Sequence, residues 1–402
     1  MLTDLDALLR AKQIDTLLVP MHEVLHPAFR WITRGAKVTK GYAIKRVGEP
    51  PLLVTYPMER DEAAATGLAT RLVRDFDHDR IFKSAPNAVA AYGEFFDNVL
   101  HACGAAGPIA FAGNLPIHLY LGIADALQAR GWNVVRATGE DLVQLARKRK
   151  EPWEIEAIAS VGERTEQVVD RVRDVLRDVV VEGGRVLHRG EVLTLGFLKR
   201  LVSSEIARLG MVEDHDTILS QGRDAAVPHS RGDASAAVRP SSPIVLDIFP
   251  LDKESGYFFD MTRTFCVGPV PDALATIHAH VLEAFELAEQ AMVAGMEAKR
   301  YQDLVCDYFE ARGYPTTRAD PQTLEGYIHS LGHGVGLDIH EKPFFGLSPG
   351  NKDLIEAGDI VTIEPGLYFP DTEIGVRIED TFVVGDDGRV RSLCRGSRGL
   401  AP

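Results

Sequence analysis

Short apolar runs alternate with amphipathic stretches along the first part of the chain. The β-branched and aromatic runs, bounded by Gly and Pro, are typical of strands: IDTLLVP, PLLVTYP, ATRLVRDF, GPIAFAG and WNVVRAT. Between them, the pattern predicts helices over about 59–67, 87–104 and 117–130. Because strands and helices alternate, we expect an α/β domain over residues 1–145.

A long helix is predicted directly after this domain, beyond the segment RKRKEPWEIEAI. Pro152 suits the first turn of a helix, where its missing N–H costs nothing. An apolar stripe at helical spacing follows, through Trp153, Ile155, Ile158, Val161, Val168, Val172 and Val175. We therefore place the start of a second domain, residues 146–402, at this segment.

The second domain repeats one order of elements. The long helix and a helix over about 190–208 precede two strand-like runs, and helices over about 272–294 and 300–312 precede three more. No direct sequence repeat is visible. The order alone predicts two related halves of mixed α+β structure.

Four acidic residues and one histidine interrupt the apolar runs of this domain: Asp247 in IVLDIFP, Asp260 in YFFDMTRTF, His333 in SLGHGVGLDIHE, Glu364 in VTIEPGLY and Glu379 in GVRIEDT. Burying an unpaired carboxylate is costly, so buried acids need a positive partner. A single acid of this kind could be a strand end facing water. Four of them, with a Gly-flanked histidine, predict a site for two divalent metal ions.

The motifs around these residues resemble the pita-bread metallopeptidases, which include Xaa-Pro dipeptidase (prolidase), aminopeptidase P and methionine aminopeptidase. The resemblance covers roughly residues 150–390. It implies a C-terminal catalytic domain with the α+β pita-bread fold. The matching segments, in the same order, are D-M-T-R-T-F at 260–265, G-H-G-V-G-L-D-I-H-E at 332–341, I-E-P-G-L-Y at 363–368 and G-V-R-I-E-D at 375–380.

The resemblance also implies a role for each of the five residues. Asp247 would chelate one metal ion, and Asp260 and Glu379 would bridge both. His333 and Glu364 would complete the coordination of the second ion, and Glu364 would accept the proton of the attacking water. Oxygen-rich ligation with a single imidazole favours Mn²⁺ or Co²⁺, with Zn²⁺ or Fe²⁺ as alternatives.

Three further residues are candidates for contact with the substrate. The resemblance assigns His229, in AAVPHSRGD, and His340, in GLDIHEKP, to the stabilisation of the oxyanion or the placement of the substrate's carboxyl end. Arg377 lies two residues before Glu379, so on a strand both side chains point to one face. Arg377 either contacts the substrate or pairs with a carboxylate such as Asp380 or a ligand acid.

The chain departs from the family pattern between its first two acids. The interval from Asp247 to Asp260 is thirteen residues instead of the usual eleven, and Phe249-Pro250 stands where glycine is usual. The segment 251–255, LDKES, predicts an enlarged hairpin turn that ends at Gly256. An insertion of two residues keeps both acids on one face, so we expect it to affect substrate preference more than metal binding.

A competing motif occurs near the N-terminus. Residues 22–26 read His-Glu-Val-Leu-His, the HExxH pattern of zinc proteases, which requires both histidines on one helix face. Here a strand-like run and Pro20 precede the motif, and Pro27 disfavours helical geometry at His26. We interpret the segment as a loop.

Composition excludes several functional classes. The chain has 402 residues and a formal net charge of −14, which disfavours nucleic acid or an anionic membrane surface as a partner. Four scattered cysteines without CxxC spacing indicate free thiols, and no signal peptide or membrane-length apolar run is recognised, so we expect a cytoplasmic protein.

Together these features predict a prolidase-type metallopeptidase acting on dipeptides or short peptides with proline second, and the resemblance implies a homodimer. The alternatives are an aminopeptidase P acting on longer peptides and a non-catalytic binding protein of the same fold. Methionine aminopeptidase is disfavoured, because the N-terminal domain is usually absent there.

Overall fold

The computed structural model describes residues 2–22 and 26–402. The chain divides into two compact units, Met1–Arg147 and Lys148–Pro402. In the described part of the chain, no helix combines the length and apolar character needed to cross a bilayer.

The first unit is an α/β domain built on a six-stranded sheet. Its helices are α1 (Leu2–Ala11), α2 (Pro27–Ile32), α3 (Arg60–Ala64), α4 (His78–Ser84), α5 (Ala88–Ala102), α6 (Ile117–Gln128) and α7 (Leu142–Ala146), with 3₁₀ turns at Pro57–Glu59 and Val73–Phe76. Its strands are β1 (Thr16–His22), β2 (Lys40–Arg46), β3 (Leu52–Thr55), β4 (Ala69–Leu72), β5 (Ile109–Phe111) and β6 (Val134–Val135).

The sheet has the order β4-β3-β2-β1-β5-β6, with antiparallel pairing at β1–β2 and β2–β3 and parallel pairing elsewhere. Strand β2 was not predicted, because its sequence KGYAIKR carries charged residues. The structure buries Lys45 of this strand and pairs it with Asp6 of α1. A distant partner therefore makes a charged residue acceptable at the centre of the sheet.

The second unit repeats a helix pair followed by strands. Its helices are α8 (Pro152–Arg177), α9 (Leu195–Arg208), α10 (Asp272–Ala291) and α11 (Lys299–Glu310), with a 3₁₀ turn at Pro370–Thr372. Its strands are β7 (Val179–Glu182), β8 (Arg185–His188), β9 (Glu191–Val192), β10 (Met211–Val212), β11 (Ile218–Gln221), β12 (Pro243–Ile248), β13 (Leu251–Asp252), β14 (Met261–Cys266), β15 (His333–Gly334), β16 (Glu341–Phe344), β17 (Ile360–Ile363), β18 (Gly366–Phe369), β19 (Ile374–Arg377), β20 (Asp380–Val384) and β21 (Val390–Ser392).

Two sheets follow the two helix pairs, as the order of elements predicted. The first has the order β11-β12-β14, and the second has the order β16-β15-β17-β20-β21. An antiparallel bridge between Thr262 of the first sheet and Glu379, just before β20, joins them. Helices α10 and α11 pack on the second sheet through a continuous apolar core that includes Phe285, Phe309 and Phe382.

Two details of the helices differ from the prediction. Helix α9 begins at Leu195 rather than near residue 190, because β9 occupies 191–192 and Thr194 caps the helix by accepting from Phe197 N. On α8, Trp153 is exposed whereas Glu154 is buried. The Glu154 carboxylate accepts a hydrogen bond from Tyr257 Oη, which compensates its burial.

Residues 23–25, the centre of the HExxH motif, lie outside the described residues. His22 is the last residue of β1, and His26 precedes α2, where its Nδ1 accepts from Ala28 N at 3.1 Å. A zinc protease of this type requires both histidines on one helix. Here the two histidines do not share a helix.

Helix α8 packs closely against the segment that leads to Asp260. A Cβ at Gly162 would lie 2.4 Å from the ring of Phe259, which is fully buried. Replacing a helical glycine with alanine normally stabilises a protein, by roughly 0.5–1 kcal/mol.

We predict that Gly162→Ala instead lowers the stability of the protein. Overpacking should destabilise the C-terminal unit by about 1–3 kcal/mol, because Phe259 has no space to move into. Urea unfolding measures this, and Glu163→Ala, at the exposed neighbour on the same helix, is the matched control. An increase in stability for Gly162→Ala would show that this contact is not tight.

Candidate metal centre

The β12–β14 pairing sets the relative positions of the first two acids. Asp247 pairs with Thr262 across the two strands, and Asp260 lies two residues before Thr262. Side chains alternate along a strand, so Asp247, Thr262 and Asp260 share one face, as the parity argument predicted. The apolar run before Asp260 is not a regular strand, however, because β14 begins only at Met261.

The segment between these acids is more than a turn. Leu251 and Asp252 form β13, which pairs with β10. The Asp252 carboxylate accepts from Arg164 Nη1 at 2.8 Å and from Ser255 N at 2.7 Å. The insertion is thus fixed to helix α8, and Phe249 at its start lines the cavity described below.

The second sheet supplies the other three residues. His333 begins β15, Glu364 directly follows β17, and Glu379 lies between β19 and β20. Ile363 pairs with Asp380, so one further step of that register places Glu364 opposite Glu379. Three of the four acids, Asp260, Glu364 and Glu379, therefore lie just outside the end of a strand. The adjoining strand fixes the position of each one.

Glycines on both sides of His333 allow the neighbouring strands to approach. A Cβ at Gly332 would lie 2.2 Å from Thr362 O, and one at Gly334 would lie 2.2 Å from Lys342 O. Nδ1 of His333 lies 3.1 Å from Gly334 O, the geometry of an N–H donating to that carbonyl. Nε2 is then left as the acceptor that faces the acids.

The five predicted ligands converge, with one exception. Ligand atoms of Asp260, His333 and Glu379 all lie within 4.8 Å of one another. Nε2 of His333 lies 3.6 Å from Asp260 Oδ2 and 3.5 Å from Glu364 Oε1. Asp247, in contrast, accepts from Arg377 Nη2 at 2.6 Å.

The cluster carries too much negative charge for its surroundings. Burial, reinforced by the neighbouring carboxylates, holds the pKa of Asp260 and that of Glu379 well above their usual range. Burial also raises the pKa of Glu364 from 4.5 to about 8, although Arg377 opposes the shift. Burial lowers the pKa of His333 to about 3, so its imidazole is neutral, as a metal ligand must be.

The donor set fits divalent cations. Asp260 Oδ1 and Glu379 Oε1 are buried and accept no hydrogen bond from the described residues, whereas Glu379 Oε2 accepts from Thr262 Oγ1 at 2.7 Å. Buried carboxylate oxygens without donors are costly unless a cation takes their place. Carboxylate oxygens with one neutral imidazole suit first-row divalent metals.

Arg377 pairs with a carboxylate, and that carboxylate is Asp247. The other guanidinium nitrogens donate to Tyr368 Oη at 2.7 Å and to Thr262 Oγ1 at 3.2 Å. Asp380 instead pairs with Arg263 and Arg398. Arg377 therefore braces Asp247 from the side of the protein interior.

His340 and His229 line a cavity of about 480 Å³, and all five predicted ligands line the same cavity. Both histidines are exposed. The ring of His340 lies 4.3 Å from that of His333, measured between centroids, at 76°. Every residue that the sequence singled out for this site therefore lines one cavity, although Asp247 is paired with Arg377 and is not part of the tight cluster.

His329 was not predicted, although it also lines the cavity. Its Nε2 lies 2.9 Å from Tyr368 Oη, and its Nδ1 lies 3.8 Å from Glu364 Oε2. Burial lowers its pKa to about 3, so it is a neutral polar group beside Glu364. The available signal was its position four residues before His333 in the same Gly-rich segment.

Comparison with known proteins agrees with this geometry. Residues 156–386 match the model of metallopeptidase family M24. The chain is 32% identical over 252 residues to the Xaa-Pro dipeptidase of Pyrococcus furiosus, an alignment that covers 63% of this chain and 65% of that protein. It therefore spans somewhat less than two thirds of that relative's length.

Two solved structures share the fold over nearly the full chain. A dipeptidase from Pyrococcus horikoshii OT3 has a TM-score of 0.77 at 22% identity and covers 99% of each chain. An X-Pro aminopeptidase from Thermotoga maritima MSB8 has a TM-score of 0.74 at 22% identity, covering 96% of this chain and 97% of that one. Both structures have the pita-bread fold, and this chain has an N-terminal α/β domain before its C-terminal M24 domain. With more than half of its length matched by the family model, the chain belongs to metallopeptidase family M24.

Proposed function

We propose that this protein hydrolyses the peptide bond before proline in Xaa-Pro dipeptides, using two divalent metal ions, with Mn²⁺ or Co²⁺ favoured. The cluster of Asp260, His333, Glu364 and Glu379, with its uncompensated carboxylates, is the observation that carries the proposal. The similarity to a protein named Xaa-Pro dipeptidase supports the choice of substrate.

Each residue has a place in this proposal. Five residues would hold the two cations: Asp247, Asp260, His333, Glu364 and Glu379. When bound, the cations would lower the pKa of a water and polarise the scissile carbonyl. Glu364 takes the proton of the attacking water and returns it to the proline nitrogen as the C–N bond breaks. Its carboxylate lies beside His333 and lines the cavity, which places it within reach of a water at the cluster.

The exposed histidines act on the substrate. His340 and His229 are exposed and line the cavity. They can therefore donate to the developing oxyanion or hold the substrate's carboxyl end. Arg377 acts on Asp247, which it holds in the direction of the cavity.

Proline explains why such a site is useful. The nitrogen of an Xaa-Pro bond carries no hydrogen, so a protease that depends on this N–H as a donor recognises the bond poorly. A site that activates the carbonyl and the water directly does not need that donor.

The proposal is tested by turnover of an Xaa-Pro dipeptide and an Xaa-Pro pentapeptide. We expect dipeptide hydrolysis that is lost with a chelator and restored by Mn²⁺ or Co²⁺. Asp260→Asn should abolish turnover and reduce bound metal, because the amide keeps the shape but loses the charge. Preference for the pentapeptide would favour an aminopeptidase P, and a metal-loaded protein without turnover would favour a binding role.

Substitutions of His333 and His340 should differ in their effect on the metal content of the protein. His333→Ala should lower both metal content after dialysis and dipeptide turnover. His340→Ala should leave metal content near that of the wild type, while kcat falls by about 10²–10³, as expected for loss of an oxyanion donor. The residues lie in one Gly-rich segment, so general damage would affect both alike. Equal loss of metal in both variants would contradict the role of His340.

The stability of the protein should depend on pH and metal together. In the metal-free protein, the raised pKa of Glu364 means that the folded state keeps a proton which the unfolded chain loses above about 4.5. The contribution of Glu364 to the free energy of unfolding therefore falls as pH rises from about 4.5 to 8. Metal binding needs deprotonated carboxylates, so added Mn²⁺ should raise Tm more at pH 7.5 than at pH 5.5.

Glu364→Gln provides the control for this pH dependence. The amide cannot titrate, so the Tm of the metal-free variant should fall less than that of the metal-free wild type between the same two pH values. Parallel Tm curves for the two metal-free proteins would exclude Glu364 as the titrating group.

A further inference from the structure

Two arginines are found among the described residues that line the cavity, and they differ in availability. Arg377 is almost fully buried, and its guanidinium is occupied by Asp247, Tyr368 and Thr262. Arg231 lies at the mouth, and its side chain is 62% exposed. Of these two cations, Arg231 is the one that an incoming anion can reach.

Arg231 also forms the wall between two cavities. With Asp216 it lines both the metal-site cavity and a neighbouring cavity of about 350 Å³. The second cavity is further lined by Lys199, Glu213 and Thr217. A substrate that extends from the metal site toward the second cavity passes the Arg231–Asp216 pair, because both residues line both cavities.

The backbone of Arg231 is anchored. Lys199 Nζ donates to Arg231 O, and Gly232 follows at a φ of 72°. A Cβ at Gly232 would lie 2.5 Å from Leu219 O on β11, so the chain is pressed against this strand. The position of the guanidinium therefore varies only through its own side-chain torsions.

The bond that holds the guanidinium is easily exchanged. Arg231 Nη1 lies 2.6 Å from Asp216 Oδ2, and the Asp216 side chain is 74% exposed. Exposed ion pairs of this kind contribute little to stability, because water and salt compete for both partners. A second carboxylate can replace Asp216 at little cost, and the planar guanidinium binds carboxylates in a bidentate geometry.

We propose that Arg231 recognises the free carboxylate of the substrate's second residue, exchanging Asp216 for it, and thereby favours dipeptides. This inference rests on the proposed function and adds a specificity-determining residue to it. A C-terminal amide, or the peptide bond of a longer substrate, presents no charge to Arg231 and leaves the Arg231–Asp216 pair intact.

The test compares three substrates of the metal-loaded enzyme: an Xaa-Pro dipeptide, its C-terminal amide and the corresponding tripeptide. Arg231→Gln should lower kcat/KM for the dipeptide by about 10- to 100-fold and leave the values for the amide and the tripeptide within about 2-fold. Asp216→Asn frees Arg231 and should raise the dipeptide value by about 2- to 5-fold, with the amide unchanged.

Matched controls and a binding measurement separate charge recognition from damage. Arg171→Gln and Asp174→Asn remove an exposed ion pair on α8, whose side chains are 50% and 55% exposed and line neither cavity, and should alter no substrate selectively. Competitive inhibition by free proline should weaken in Arg231→Gln, whereas inhibition by prolinamide should not.

The outcomes distinguish the two proposals. Equal losses on the dipeptide and its amide in Arg231→Gln, or unchanged inhibition by proline, would overturn the role of Arg231 while the peptidase function stands. A wild-type enzyme inactive on all three substrates would overturn the proposed function and this inference with it.

Discussion

The main physical constraint on the C-terminal unit is the repulsion among carboxylates that the fold holds close together. Two unit charges about 4 Å apart repel by roughly 4 kcal/mol at an effective dielectric constant near 20. Burial, reinforced by this repulsion, raises the pKa values of Asp260 and Glu379, and burial raises that of Glu364. Protons or cations must supply the missing charge, and membership of metallopeptidase family M24 implies divalent metal ions.

The scaffold is arranged to resist this repulsion. The Thr262–Glu379 bridge fixes the two sheets to each other next to the carboxylates. Thr262 also donates to Glu379, while Arg377 holds Asp247. The apolar core between the second sheet and α10 and α11 keeps these strands in place. Ligands held this rigidly lose little freedom when a cation binds.

The centre and the mouth of the cavity serve different purposes. In the proposed function, the acids, His333 and the exposed histidines activate the carbonyl, and this does not distinguish one peptide from another. We propose that discrimination occurs at the mouth, where Phe249 stands at the position usually taken by glycine and Arg231 lies in the loop after His229. The insertion is fixed through Asp252 and Arg164, so it changes the wall of the cavity without loosening Asp247.

The sequence by itself predicted an N-terminal α/β domain before a pita-bread domain, most helices and the residues that gather in the candidate metal centre, because these depend on local periodicity and on short motifs. The even insertion between Asp247 and Asp260 could be judged harmless from strand parity alone, and the register agrees. Predictions were wrong where a charged or polar residue has a remote partner. Lys45 is buried because Asp6 meets it, and Glu154 because Tyr257 does.

Tertiary structure alone decided which of two roles Arg377 plays. Its partner Asp247 lies 130 residues away, and no local pattern connects them. The same holds for His329, whose neighbours Tyr368 and Glu364 lie much later in the chain. It also holds for Arg231, which gains its position only when its loop packs against β11. Local sequence specifies which groups are present, whereas the distances between them arise from long-range packing, because charge and hydrogen bonding act through space and not along the chain.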